Sequence, residues 1–530
     1  MAFVVHVAIG LIFLTLVCIQ IYQLSKALMS PLKRVPGPWY APFTILHLCY
    51  GFSTGEIWKA VEKAHAKYGP IVRLGPRQIW IADKDALKDI LLRIDLPKVA
   101  MYSEISRDKH SPGLFGEIRP EPHRRLKRFL SPAFTVHYID NLELYFQKTV
   151  RDLLNKYDDR IRIDPLAAQV NGIEVDLMDD LHNVALDIMG ECSFGKGFGQ
   201  TNPDSIEVEQ GVDERVWKSI PRSIFDGLSK RYQTVYIKKF LRAIGLDVNF
   251  DWPAEMITAI DAVVQRRRRS EKGDGRPDLL QHLIDEGKKP DSGKAMNTRD
   301  IVDQMAEILL AGSETTSGTI ACLFLELARN PDVRAKLLAS LAPKGIHDEI
   351  VASKLIREGA AGSEYEYLEA CIKENLRLHP IASEMGRRTG SQWVTLMGYH
   401  LPPHTVISAS YRDLHRNAKY WPEPMRFWPE RWLPEEKRCG APAPDMNAYY
   451  PFSAGKHSCI GINFAWAEMR MVAANIFSRF DINEVQGQEI DFRQYITMQF
   501  HTGHWRVVLK PRKTSDVPET TEAKPSLLDS

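Results

Sequence analysis

Residues 451–461 read Pro-Phe-Ser-Ala-Gly-Lys-His-Ser-Cys-Ile-Gly, and an apolar helical pattern follows from Ile462 to Phe477. Cys459 therefore stands just before a helix N-terminus. Free backbone N–H groups and the positive end of the helix dipole meet there, and both favour a thiolate over a thiol. Gly455 and Gly461 flank the cysteine and let the backbone fold tightly against a flat partner. Phe452 can shield the sulfur, and His457 can offer an N–H to an anion. Such a thiolate suits a metal that needs one axial ligand. The other six cysteines, Cys18, Cys49, Cys192, Cys322, Cys371 and Cys439, contain no Cys-x-x-Cys. That argues against a zinc ribbon, a thioredoxin motif or a dense disulfide framework, and reads as reduced thiols facing a cytosol.

A second group of reactive types is Ala311-Gly312-Ser313-Glu314-Thr315-Thr316-Ser317-Gly318. It interrupts a stretch, Thr298 to Arg329, whose periodicity predicts one long helix with Asn297 or Thr298 as its cap. Glycines, threonines and a carboxylate weaken a helix at its centre, and a local rule broken inside an element marks function. A hydroxyl and a carboxylate there could pass protons to a bound ligand, with Gly312 leaving room beside it. Glu314 and Thr315 are adjacent and point in different directions, so a relay between them runs through water. Without the cysteine loop the same residues would read as a helix bent by hydroxyl back-bonding.

Charged residues supply two further patterns. Glu374 and Arg377 are i and i+3 on one helix face, and Phe427-Trp428-Pro429-Glu430-Arg431-Trp432 follows with another arginine. An exposed Glu–Arg pair is common and stabilises little, so this pair means something only in company. His123-Arg124-Arg125-Leu126-Lys127-Arg128 opens a cationic helix in which His123 and Lys127 face the same way.

Taken in order, these four segments resemble the haem-thiolate monooxygenases of the cytochrome P450 family, of the microsomal type and fungal in flavour. Phe-x-x-Gly-x-His-x-Cys-x-Gly is similar to the family's haem-binding loop, with His457 where arginine is usual. Residues 311–316 are similar to its oxygen-activation motif. Pro429-Glu430-Arg431-Trp432 is similar to its Pro-Glu-Arg-Phe element, with Trp432 in last place. The resemblance implies haem b with Cys459 as the axial iron ligand and Phe452 and His457 against the cofactor. It implies that His123 and Lys127 reach the haem propionates. Lys127 stands in an arginine place, which gives a point charge instead of a fork and leaves Arg128 as a substitute. Arg388 is implied as a further propionate ligand, with Arg387 as the alternative. Glu374, Arg377 and Arg431 are implied to form a buried, structural charge network. Glu314 and Thr315 are the implied catalytic residues, delivering protons as dioxygen is cleaved.

The implied activity inserts one oxygen atom from O2 into a lipophilic organic substrate, in secondary-metabolite biosynthesis. Electrons would come from NADPH through NADPH–cytochrome P450 reductase, with cytochrome b5 as a second partner. Arg124, Arg125 and Lys456 would form part of the docking face. Two alternatives stand beside this reading. One is a haem-thiolate isomerase or peroxide-rearranging enzyme, which has no need of the Glu314–Thr315 pair. The other is a non-enzymatic haem-binding membrane protein.

The elements that must position these residues predict a mainly α fold with small β-sheets, a cytochrome P450 fold behind an N-terminal transmembrane helix. Helical periodicity runs over Thr54–Tyr68, His137–Tyr157, Val175–Cys192, Ile257–Arg269, Thr298–Arg329 and Glu364–Leu378. Short apolar alternation marks Ile71–Ala82, Trp393–Ile407 and His504–Leu509. Ala2 to Ser25 carries no formal charge and would span about 36 Å as a helix. Lys26, Lys33 and Arg34 follow it, which places the body on the cytosolic side of a single-pass endoplasmic reticulum anchor. The organisation is thus an anchor at 1–25, a basic and Pro-rich hinge at 26–50, one catalytic domain at 51–512 and a polar disordered tail at 513–530. The net charge of +2 argues against a nucleic-acid partner, and Arg266–Arg269 reads as a solvated helix face. Pocket walls are expected from Met101–Ile118, Thr201–Val248, Ile381–Met385 and around His501.

Overall fold

The computed structural model describes residues 14–513, except 15–16, 19–20, 23, 26, 105, 107–111, 206–211, 234–237, 239–240, 242–243, 247–250, 270–277, 290 and 360–361. Seven helices bear on the site: α1 (Pro120–Leu130), α2 (Glu143–Ile163), α3 (Leu177–Met189), α4 (Ala254–Arg269), α5 (Thr298–Arg329), α6 (Glu366–Leu378) and α7 (Ile462–Phe477). Helix α5 is the axle, packed by α3, α4, α6 and α7. Its start is fixed by a capping box: the Asn297 side chain accepts from the Asp300 N–H, and the Asp300 carboxylate accepts from the Asn297 N–H. Ile301, Met305, Leu309, Ile320, Phe324 and Leu327 carry its core face.

Eleven short strands form four sheets among the described residues. The largest has the order β1 (Ile71–Gly75), β2 (Gln78–Ile81), β7 (Val406–Ser410), β4 (Glu384–Arg388), with only the β2–β7 pair parallel. Strands β3 (Ile173–Asp176), β11 (Arg506–Pro511) and β8 (Phe480–Glu484) form the second. Two hairpins complete the set, β5 (Val394–Leu396) with β6 (Tyr399–Leu401), and β9 (Phe492–Gln494) with β10 (Met498–Phe500).

Three expectations need correction. The helix expected from Val175 starts at Leu177, because the Asp176 carboxylate accepts from the Asp179 N–H and caps it, while 173–176 pair with β11. The stretch His137–Tyr157 is two helices, Val136–Asn141 and α2. The four arginines at the end of α4 are not one solvated face: Arg267 is buried and grips Asp278 through bonds of 2.6 and 2.8 Å.

The anchor expected at 1–25 lies largely outside the described residues. Those described there, including Leu14, Ile21, Tyr22 and Leu24, are helical and exposed. The tail expected at 513–530 lies outside them but for its first residue. Among the described residues α5 is the one helix long and apolar enough to cross a membrane, and it is mostly buried in the protein core.

Candidate active site

The cysteine loop is shaped by its main chain. The Cys459 N–H donates to the Phe452 carbonyl at 2.9 Å, and the Ser458 N–H to the Gly455 carbonyl at 3.0 Å. Ser453 and Gly455 take positive φ values of 58° and 71°. A Cβ added at Gly455 would lie 2.2 Å from the Leu91 carbonyl oxygen. Glycine is therefore required twice there, by backbone conformation and by close approach. Gly455→Ala should prevent the loop from closing, read as haem lost from the purified protein by the ratio of haem to protein absorbance. A parental ratio would contradict that.

Cys459 is enclosed by neighbouring protein but keeps solvent-accessible surface. Burial raises its thiol above the ordinary range, with the Gly461 N–H and the Lys127 ammonium pulling in the other direction. The net direction is upward, so the helix end does not by itself yield a thiolate. A coordinated metal ion deprotonates a thiol outright.

Helix α1 brings two side chains to this loop. The His123 ring lies 4.4 Å from the His457 ring, centroid to centroid. Lys127 Nζ donates to the Lys456 carbonyl at 2.9 Å, the Ser458 carbonyl at 2.7 Å and the Ser458 hydroxyl at 2.9 Å. An ammonium has three hydrogens, and all are taken up by the loop. Lys127 is thus a strap on the loop and, as placed, has none left for a propionate. Arg128 is exposed.

The arginine that faces this region is Arg387, not Arg388. Successive strand residues point to opposite sides, and β4 buries Arg387 while Arg388 is half-exposed. Lys98 joins it across a β-bridge. Lys98 is buried, and its Nζ donates to the Leu114 and Phe115 carbonyls, each at 3.0 Å. Burial, with Arg387 adding to it and Glu307 opposing, brings the Lys98 ammonium down to about 7. Burial and the charges of Arg387 and Lys98 push His457 down to about 3. Burial and Lys98 push His123 to about 2. These groups repel added protons on one another, and both Arg387 Nη2 and His457 Nδ1 are buried without a partner among the described residues. Each such orphan costs about 1–3 kcal/mol. A bound anion with two carboxylates answers both features.

Glu374 and Arg377 sit on the core side of α6, both fully buried. Arg377 Nε and Nη2 grip the Glu374 carboxylate at 3.0 and 2.8 Å. Arg431 Nε lies 3.3 Å from the same carboxylate. The Trp428 N–H at 3.0 Å and the Trp432 indole N–H at 2.9 Å also donate to it. Phenylalanine in the place of Trp432 could not supply that last bond. The remaining Arg377 donors go to the carbonyls of His415, Pro424 and Arg426, tying α6 to the segment before residue 431.

In α5 a buried helix opens. Ile308, Ala311, Gly312 and Thr315, spaced i, i+3, i+4 and i+7, form one stripe that is not buried. Ser313, Thr315, Ser317 and Thr319 each donate a hydroxyl to the carbonyl four residues earlier. The hydroxyls thus back-bond to their own helix, beside a stripe that is only partly buried. The room at Gly312 is used partly by packing, since an added Cβ would lie 2.5 Å from Met189 Sδ. Glu314 lies off the Thr315 stripe. Its carboxylate accepts from Thr497 at 3.3 Å, and burial raises its pKa.

The family profile described as cytochrome P450 matches residues 35–504. The chain belongs to the cytochrome P450 family. Its relatives include the cytochrome P450 monooxygenase FUS8 of Gibberella fujikuroi, 28% identical and covering 96% of this chain and 94% of the relative. The cytochrome P450 monooxygenase acrD of Aspergillus aculeatus is 28% identical and covers 89% of each chain. In the crystal structure of the cytochrome P450DA heme domain the fold recurs with a TM-score of 0.70 at 20% identity, over 91% of this chain and 98% of that one. These matches favour an oxygenase over an isomerase or a non-enzymatic haem binder.

This cytochrome P450 has residues that fit the family's haem and its cysteine thiolate. A solvent-accessible cysteine beside buried Arg387 and Lys98, with unpaired donors at Arg387 Nη2 and His457 Nδ1 among the described residues, fits an iron porphyrin bearing two propionates. The sequence points to His123, Lys127, Phe452, His457 and Cys459, and the structure gathers them around one loop. No motif points to Lys98, and Arg387 stands there only as an alternative. Arg124 and Arg125 are exposed beside Glu121, and Lys456 is exposed with its Nζ 2.8 Å from Asp95.

Proposed function

We propose that this chain is a membrane-attached haem-thiolate monooxygenase of secondary metabolism, oxidising a lipophilic substrate. The observation that carries the reading is the cysteine loop closing beside buried Arg387, Lys98 and His123 and beside His457, with Arg387 Nη2 and His457 Nδ1 unpaired among the described residues. Cys459 would supply the thiolate to the haem iron. His123, His457, Arg387 and Lys98 would hold the propionates, and Lys127 keeps the loop in place. Haem, when bound, supplies reductive activation of dioxygen. The chain's own residues orient that cofactor, exclude water behind α5 and hold protons at the Glu314 carboxyl and the Thr315 hydroxyl. Glu374, Arg377 and Arg431 carry the loop's support from below.

NADPH–cytochrome P450 reductase is the electron donor, with cytochrome b5 as a second one, docking near Arg124, Arg125 and Lys456. An endoplasmic reticulum setting is supported by the apolar, uncharged run from Ala2 to Ser25. It is supported further by the exposed Trp39, Leu46 and Tyr50 just beyond that run.

The test is the Soret band of the reduced, haem-loaded protein under carbon monoxide, followed by incorporation of oxygen-18 gas into product with NADPH and reductase. A strongly red-shifted band is expected. Haem without that shift in folded protein overturns the thiolate assignment. Thr315→Ala should raise peroxide released per NADPH consumed, because a proton route to the oxygen side is lost. An unchanged ratio removes Thr315 from that route.

A further inference from the structure

The hairpin β9–β10 lies against the middle of α5 and reaches one residue there twice. Gln499 Nε2 donates to the main-chain carbonyl of Glu314 at 2.8 Å. Thr497 Oγ1 lies 3.3 Å from Glu314 Oε2, a long contact for a hydroxyl donor, and Gln499 Nε2 lies 3.4 Å from Thr497 Oγ1. Catalytic hydrogen bonds are often long before the reacting partner is present. Among the described residues no other side chain donates to the Glu314 carboxylate.

The approach of Gln499 depends on a glycine. In a helix the Glu314 carbonyl is the acceptor for the N–H of residue 318. That residue is Gly318, and an added Cβ would lie 2.9 Å from both terminal atoms of Gln499. An added methyl there would push the flexible Gln499 amide away from the carbonyl. The hairpin is itself held at several points. The Met498 N–H donates to the Ile381 carbonyl at 2.9 Å, the Gln494 N–H to the Gly55 carbonyl at 2.7 Å, and the Trp58 indole to the Phe492 carbonyl at 3.1 Å. It is thus a fixed frame set against the face of α5 that carries Glu314.

A carboxylate on a long side chain loses rotamer freedom when it is held in one geometry. A frame that is already ordered bears that cost in advance. We propose that Thr497 and Gln499 are positioning residues for the Glu314 carboxyl group, fixing where it holds its proton relative to the Thr315 stripe. This rests on the reading of Glu314 as a proton carrier given above.

The experiment is NADPH oxidation by the full chain in membranes with reductase and without added substrate, run in water and in heavy water. Oxygen then takes up two electrons and two protons to give peroxide, or four of each to give two waters. Either route consumes protons, so the solvent isotope effect reads their supply. Thr497→Val and Gly318→Ala should each slow NADPH oxidation by about threefold or more and enlarge the isotope effect. Glu314→Gln should move both in the same direction. Thr497→Ser should restore the parent, and Glu314→Gln with Thr497→Val should be no slower than Glu314→Gln alone. Haem content and the carbon monoxide band should not change. A parental rate and isotope effect in Thr497→Val, with Glu314→Gln altered, overturns the inference. If Glu314→Gln alters neither, the reading of Glu314 falls and takes the inference with it.

Discussion

Cys459→Ala should abolish both the red-shifted Soret band and all NADPH-dependent oxygenation, and should leave the fold almost as stable as the parent. The two halves of this expectation have separate causes. A thiolate pushes electron density toward cleavage of the O–O bond, and alanine supplies none. The loop, by contrast, is held without the sulfur. Its bonds run from the Cys459 N–H to Phe452, from the Ser458 N–H to Gly455, and from Tyr411 to Ser453. Lys127 adds three more, and Lys456 pairs with Asp95. The thiol itself accepts the Gly461 N–H and feels the Lys127 charge. Its loss should change stability by no more than about 1 kcal/mol, which thermal unfolding of haem-free protein would read. A retained band would put the ligand elsewhere, and an unfolded variant would make the sulfur structural.

Glu374→Ala and Arg377→Ala should each cost about 3–5 kcal/mol and yield little folded protein. An exposed pair at the same spacing would cost at most about 1 kcal/mol. The difference is burial: both side chains are fully enclosed, so removing one strands the other's charge. The Glu374 carboxylate also collects the Trp428 and Trp432 N–H groups and the nearby Arg431. Trp432→Phe should cost less, about 1–3 kcal/mol, because one donor goes while the guanidinium groups stay. Glu374→Leu with Arg377→Met should cost less than the sum of the single changes, since neither partner strands the other, while buried Arg431 still loses its carboxylate. Thermal midpoints and folded yield measure all of these. A parental midpoint in Glu374→Ala would mean that the network supports nothing.

What could be read in the sequence was local in the chain. The cysteine loop announced itself because glycines, a histidine and a cysteine fall within one short segment before a helix. The α5 cap was legible because Asn297 and Asp300 are three residues apart. Side-chain direction on β4 was not legible: the choice between Arg387 and Arg388 depends on the pairing with β7, where Arg387 lies opposite Ile407. Lys98 enters through a bridge to Arg387, far along the chain. Trp432 looks like a bulky apolar residue until its indole N–H is seen aimed at α6. Val175 and Asp176, the last two residues of strand β3, read as the start of α3 because they run directly into its apolar pattern. Gly318 looked like a helix weakness, and its reason, Gln499, lies on another element.

Helix α5 also bears on how the chain is made. A cellular insertion machinery judges a segment by apolar length, and α5 has enough of it to cross a bilayer. The hydroxyls of Ser313, Thr315, Ser317 and Thr319 do not spoil that quality, because each is already satisfied by its own helix. The segment also leaves the ribosome before α6 and α7, which later cover it. Whether it packs into the core is then a race between assembly of α6 and α7 around it and its capture by a bilayer. Variants that weaken its later partners, Arg377→Ala among them, should raise the share of chains with α5 inserted in membrane, read by its protection from protease.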